Sequence, residues 1–186
     1  TPDILGDCLA FIWGHIEAEN RLLIVSKPWW KCISTICEML RMGRKTGRVQ
    51  FRFTIGDFDD AVLKYWEPGA PAFLERLTCL KYAYDQGFTT SVSIEPMLST
   101  ERIVALVEAL APFVRDSIWI GTMNQVGQRV TIRTERDRRA VAAIKAGQTD
   151  ERIRVVYEQL NDHPLVRWKD SIRNAIALDD AERRRS

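Results

Sequence analysis

The sequence has no apolar stretch of bilayer length: its longest conspicuous run, "RLLIV", falls far short of the roughly 20 apolar residues that a helical crossing takes. The opening residues lack the charged, apolar and small-residue order of a secretory leader. Cysteine is sparse. Cys8, Cys32, Cys37 and Cys79 come without paired spacing, which argues against a disulfide framework and suits reduced thiols in a cytoplasm. The two histidines, His15 and His163, fall on separate elements and are not spaced as a metal pair. With 27 basic and 25 acidic residues the formal charge is only +2, so no one-sign excess points to nucleic acid or to an anionic membrane.

What is present is a chain of 186 residues, 46% hydrophobic and 28% charged, long enough to bury one sizeable core and unlike a disordered chain. Leu5, Cys8, Leu9, Ile12, Trp13 and Ile16 recur at helical spacing, with Pro2 suited to the first turn. "RLLIVSK" reads as a short strand and residues 30–42 as a helix, and "VQFRFTIG" then alternates with period two. A long connection, Gly56 to Ala70, leads to a helix carrying Phe73, Leu77, Leu80 and Tyr84, which Gly87 is placed to end in a left-handed conformation. "TTSVSIEP" is the third strand. Ser99 is placed to cap the next helix, and "DSIWIG" is the fourth strand. "RVTIRT" reads as a short edge strand, residues 135–147 as a helix, and Glu151–Asn161 and Leu165–Leu178 as two helices separated at Pro164. Residues 179–186 read as a solvated end.

Strands and helices in this alternation demand parallel pairing through right-handed crossovers, so the fold class is α/β, an open sheet or a barrel. Helix-facing positions of such a sheet must be apolar. That assigns Val49, Phe51, Phe53, Ile55, Val92 and Ile94 outward and leaves Gln50, Arg52, Thr54, Ser91, Ser93 and Glu95 on the other face. Ser26 and Lys27 end the first strand at the same carboxyl edge as Thr54 and Glu95. Burying such groups unpaired would cost roughly 2 to 7 kcal/mol each, so they meet water, one another or a ligand. Either they line a polar, ligand-holding cavity at the strand ends, or the sheet is open and this face is wet or covered by polar loops.

The stretches "LIVSKP", "TIG" then "DD", "EPGAP" followed by "ERL", "GF" with "SIEPM", and "VRWKDSI" near the end, in that order, resemble the radical S-adenosylmethionine enzymes, in particular the spore photoproduct lyase-like group. The resemblance implies a parallel-stranded partial (βα) barrel fragment over residues 1–134 with a helical carboxyl-terminal extension over 135–186. It implies S-adenosylmethionine bound beside a [4Fe-4S] cluster and fed by an electron donor, with Ser26, Lys27, Thr54, Ser93 and Glu95 on the cofactor side. Lys27 and Thr54 would lie near its amino-acid part and ribose. Arg52, Asp57, Glu67 and Asn124 are substrate-side candidates, and Met97 and Met123 lie at strand ends.

The departure from that family is the missing CxxxCxxC run, for which Cys32 and Cys37 cannot stand in. The expectation is a carboxyl-terminal portion of such an enzyme, not active alone, whose cysteine loop and first strands precede Thr1, and whose exposed sheet edge favours self-association. No catalytic residue and no metal ligand is assigned. Two other readings use the same residues: a self-sufficient lyase or hydrolase with Lys27 as Schiff-base former and Glu95 as general acid or base, and a nucleic-acid-binding module using "RMGRKTGR" and "RTERDRR".

Overall fold

Parallel strands need a crossover connection, most often a helix, and every strand pair of this structure has one. A computed structural model describes residues 3–183, so Pro2, expected in a first turn, and residues 184–186 lie outside the described residues; of the solvated end expected over 179–186, residues 179–183 instead continue the last helix. The order is α1 (Ile4–Glu17), β1 (Leu22–Ser26), α2 (Trp30–Met42), β2 (Val49–Thr54), α3 (Asp60–Trp66), α4 (Phe73–Asp85), β3 (Thr89–Ile94), α5 (Ile103–Leu110), β4 (Ile118–Ile120), α6 (Val126–Arg129), α7 (Glu135–Gly147), α8 (Asp150–Leu160), β5 (Val166–Trp168) and α9 (Asp170–Arg183).

The five strands form one sheet in chain order, β1-β2-β3-β4-β5, every pair parallel. Each crossover therefore moves one strand along. With the same right hand at every step, the helices collect on one side of the sheet. This is the α/β arrangement expected from the alternation, and it is consistent with the partial barrel that the resemblance implies. The helix-facing residues Phe51, Phe53, Val92, Ile94, Ile118 and Ile120 are fully buried and share one core with Ile33, Ile36 and Leu40 of α2, Leu80 of α4, Leu106 of α5 and Ile153 and Val156 of α8. Phe51 stacks on Phe53 and meets Phe88 edge-on. A smaller core of Leu63, Leu98, Val126, Val141 and Ile144 joins α3, α6 and α7 beside the carboxyl edge.

Two expectations are corrected. "RVTIRT" is not a strand: α6 occupies Val126–Arg129 and residues 130–133 are irregular. The place beside β4 is taken by β5 instead, with Val166 opposite Ile118. That strand lies in the stretch read as the Leu165–Leu178 helix, because three residues are too few for an alternation to stand out against the helical spacing that follows. The boundary expected at residue 134 falls between α6 and α7, and β5 beyond it belongs to the main sheet. The long connection from Gly56 to Ala70 holds a helix of its own, α3, whose start is capped by Asp59 through the amides of Ala61 and Val62. Gly87 ends α4 at φ 84°, as expected.

β1 closes one end of the sheet, and its inner residues Leu23 and Val25 are exposed. None of the described helices is long and apolar enough to cross a membrane. The two faces of the sheet should respond differently to substitution. Phe51→Ala is expected to cost about 3 to 5 kcal/mol in urea unfolding, and Leu23→Thr less than about 0.5 kcal/mol.

Candidate functional site

The inner face is built in ranks set by the strand register. Val25, Arg52 and Ser91 lie side by side, and Thr54, Ser93 and Trp119 form the next rank toward the carboxyl edge. Arg52 Nε donates to Ser91 Oγ at 3.2 Å, and its guanidinium carbon lies 5.4 Å from the Trp119 ring centre. Ser91 is fully buried, accepts from Gln50 Nε2 at 3.3 Å and donates to the Phe51 carbonyl at 3.1 Å. At the edge itself Lys169 Nζ stands 3.1 Å from Glu95 Oε2 and 5.5 Å from the same Trp119 ring.

Gly121 makes that arrangement fit. A Cβ at Gly121 would stand 3.0 Å from Lys169 Cγ and 3.1 Å from Glu95 Oε1, so the ion pair occupies the space a side chain would need. Next to it, the side chains of Thr54 and Ser93 are largely buried, and neither hydroxyl makes a hydrogen bond among the described residues. Trp119 Nε1 is buried without a partner among the described residues. Two unengaged hydroxyls thus lie beside a flat aromatic ring and two cations. Such a surface can accept a ligand combining a carboxylate, hydroxyl groups and a planar ring.

The other expected residues are placed differently. Ser26 stands in register with Phe53 on the helix-facing side, its Oγ buried and unpartnered among the described residues, so it is separated from the inner row. Lys27 lies at the carboxyl edge but is held by Glu67 Oε1 at 3.5 Å. The other oxygen of Glu67 meets Arg76 NH1 at 2.6 Å. Arg76 is fully buried and also donates to the carbonyls of Pro71 at 2.7 Å and Thr54 at 3.2 Å. Asp57, only 1% exposed, accepts from the amides of Phe58 and Asp59 and takes Arg102 in a two-pronged pair at 2.9 and 2.5 Å. Asp57 and Glu67 therefore fasten the loop after β2. Asn124 is exposed, its Oδ1 accepting from Thr122 Oγ1 at 3.3 Å. Met97 is core, and Met123 packs against the smaller core.

Trp119 and Lys169 are functional candidates that the sequence reading passed over. The alternation in "DSIWIG" already turned Trp119 inward once Ile118 and Ile120 faced the helices. Lys169 was hidden by reading its stretch as helix. Arg76 and Arg102 gave no signal, since an arginine on an amphipathic helix reads as solvated.

The residues present do not fit an iron–sulfur cluster. Among the described residues no group of three or more His, Cys, Asp or Glu is placed to hold a metal. Cys37 and Cys79 are buried in the helical layer, and burial pushes both thiols up to about 12, away from the thiolate a cluster needs. A separate groove of about 550 Å³ lies between α3, the turn after β3 and α7, lined by Trp66, Leu98, Arg102, Ile144, Gln148 and Arg152 among others. It does not include the inner row.

No family model matches the sequence, and no curated protein matches it. Among solved structures the chain is similar to a spore photoproduct lyase variant with bound AdoMet and a dinucleoside spore photoproduct, at 15% identity and a TM-score of 0.47, over 80% of this chain and 50% of that one. The chain thus spans about half the length of that protein.

Two outcomes follow from the geometry. Arg76→Ala leaves the Glu67 carboxylate buried with only half-exposed Lys27 beside it, and should lower unfolding stability by about 3 to 5 kcal/mol. In native protein at pH 8, iodoacetamide should modify exposed Cys8. A thiol whose pKa is raised stays protonated there, so Cys37 and Cys79 should react slower by at least about two orders of magnitude, as read by peptide mass spectrometry.

Proposed function

We propose that this chain is the cofactor-side wall of a radical S-adenosylmethionine enzyme, the carboxyl-terminal part of its barrel, with the inner row Thr54, Ser93, Glu95, Trp119 and Lys169 facing S-adenosylmethionine. The observation that carries the reading is the pair of unengaged hydroxyls, Thr54 and Ser93, beside an exchangeable Glu95–Lys169 ion pair at the carboxyl ends of parallel strands. Ligand sites of parallel α/β folds collect at that edge. The order of "LIVSKP", "TIG", "EPGAP" and "SIEPM" along these same strands supports it from the sequence side.

In this reading Lys169 and Arg52 offer cations to the carboxylate of the amino-acid part. The hydroxyls of Thr54 and Ser93 meet the ribose, and Trp119 gives its face to the adenine. When bound there, S-adenosylmethionine would supply a sulfonium open to reductive chemistry, with these residues holding and orienting it. For the cluster that such chemistry would need, no ligand set is found among the described residues. The lyase reading loses support, because Lys27 and Glu95 each carry their own counter-ion, Glu67 and Lys169, and not one another.

Isothermal titration with S-adenosylmethionine tests the binding half. Wild-type protein is expected to bind one equivalent. Ser93→Ala and Thr54→Val should each weaken binding about 3- to 10-fold, the worth of one hydrogen bond. Heat signals absent at millimolar ligand, or identical for wild type and both variants, would remove the proposal.

A further inference from the structure

The opposite rim of the sheet carries a second, differently charged hollow. Arg21 directly precedes β1, and Arg44, Lys45 and Arg48 lie on the connection between α2 and β2. Because β1 and β2 pair in parallel from Leu22 and Val49, these two connections meet at the amino edge. With Gly47 they line a cleft of about 460 Å³, within the roughly 300 to 1,000 Å³ typical of small-molecule sites.

The charge in that cleft is not neutralised. Among the described residues, the one ion pair these four side chains make is Arg48 with Glu19 at 3.7 Å, and the Glu19 side chain is 82% exposed. Arg48 also donates to the Glu19 carbonyl, which holds its guanidinium in place. Arg21, Arg44 and Lys45 converge with no carboxylate between them. Like charges gathered round one hollow repel until an anion enters. Arg44 is moreover held at φ 56°, in the left-handed region that glycine occupies more easily. The floor is open: a Cβ at Gly47 would meet nothing within 4 Å.

We propose that this cleft binds a small anion carrying two or more phosphate groups. Three guanidinium groups offer planar forks for phosphate oxygens, and Lys45 adds a point charge. A nucleic-acid duplex would need a longer basic track. The other basic run does not extend this one: Arg138 and Arg139 pair with Glu135, and Arg136 lies over the Tyr65 ring.

The test is calorimetric titration of the full chain with inorganic tripolyphosphate at about 50 mM salt, low enough to leave surface electrostatics largely unscreened. It compares wild type, an Arg44→Gly/Lys45→Ala double variant, and Arg173→Ala as a charge control. Arg44→Gly suits the left-handed backbone, so fold is retained, and a thermal melt verifies this. If the double variant nonetheless melts early, Arg21→Ala, at an exposed position, is read in its place. Saturable one-to-one binding that weakens at least about tenfold in the cleft variant and is unchanged in Arg173→Ala supports the proposal. No saturable binding by wild type overturns it, as does equal weakening in both variants. A 20-base-pair duplex serves as second probe. If it binds more tightly than tripolyphosphate and loses that binding in the cleft variant, the small-anion assignment gives way to nucleic acid.

Discussion

Helices that cover only one side of a parallel sheet divide every strand's residues into two chemistries. On the covered side the strands must be apolar, since any polar group there would lose its water without a partner. Phe51, Phe53, Val92, Ile94, Ile118 and Ile120 satisfy that demand completely. Relieved of packing against helices, the other side is free to carry Arg52, Thr54, Ser93 and Trp119. The site is thus a consequence of how the fold buries its core. Because alternation ties the two faces together, a one-residue slip of β2 or β3 would lose both at once.

Magnitudes separate the ion pairs that build the carboxyl edge from the one that can be exchanged. Asp57 and Glu67 are 1% and 7% exposed, so leaving either unpaired would strand a carboxylate at a cost of several kcal/mol. Their partners Arg102 and Arg76 are therefore structural, fixing the turn after β2 to α5 and to α4. Glu95 and Lys169 keep about a third of their surface in water, where an ion pair is worth about 1 kcal/mol or less. A ligand carboxylate or ammonium can replace one of them at little cost. Of Asp57, Glu67 and Glu95, the carboxylates expected at this edge, Glu95 is thus the least tightly held.

Much of this was legible beforehand, for a physical reason. Period-two alternation is a local signal, so the outward and inward residues of β2 and β3 could be assigned from "VQFRFT" and "TTSVSI" alone. What escaped notice were long-range facts. Nothing near Arg76 in sequence announces that Glu67 and the Thr54 carbonyl will surround it, and nothing near Asp57 announces Arg102, 45 residues on. β5 has three residues, too short for alternation to register, and Lys169 went unassigned with it. Ser26 shows the limit of reasoning from position along a strand. It ends β1 at the correct edge, yet alternation from Ile24 turns it toward the helices with Phe53.

The two rims of the sheet differ in how their charges are settled, and that difference follows from what each rim must connect. At the carboxyl edge the long link from β2 passes through α3 before α4, and Tyr65 of α3 donates to Asp137 of α7 at 2.6 Å. The Tyr65 hydroxyl, together with the amides of Arg133 and Thr134, holds the Asp137 carboxyl well below the usual carboxylate range, so the anchor between the two helices stays charged. Crossed by such links, this edge fills with paired charges, while the hydroxyls of Thr54 and Ser93 stay without a partner among the described residues. The amino edge beside β1 is crossed by short turns, with few residues to supply counter-ions. Of its cations only Arg48 has a carboxylate partner among the described residues, the exposed Glu19.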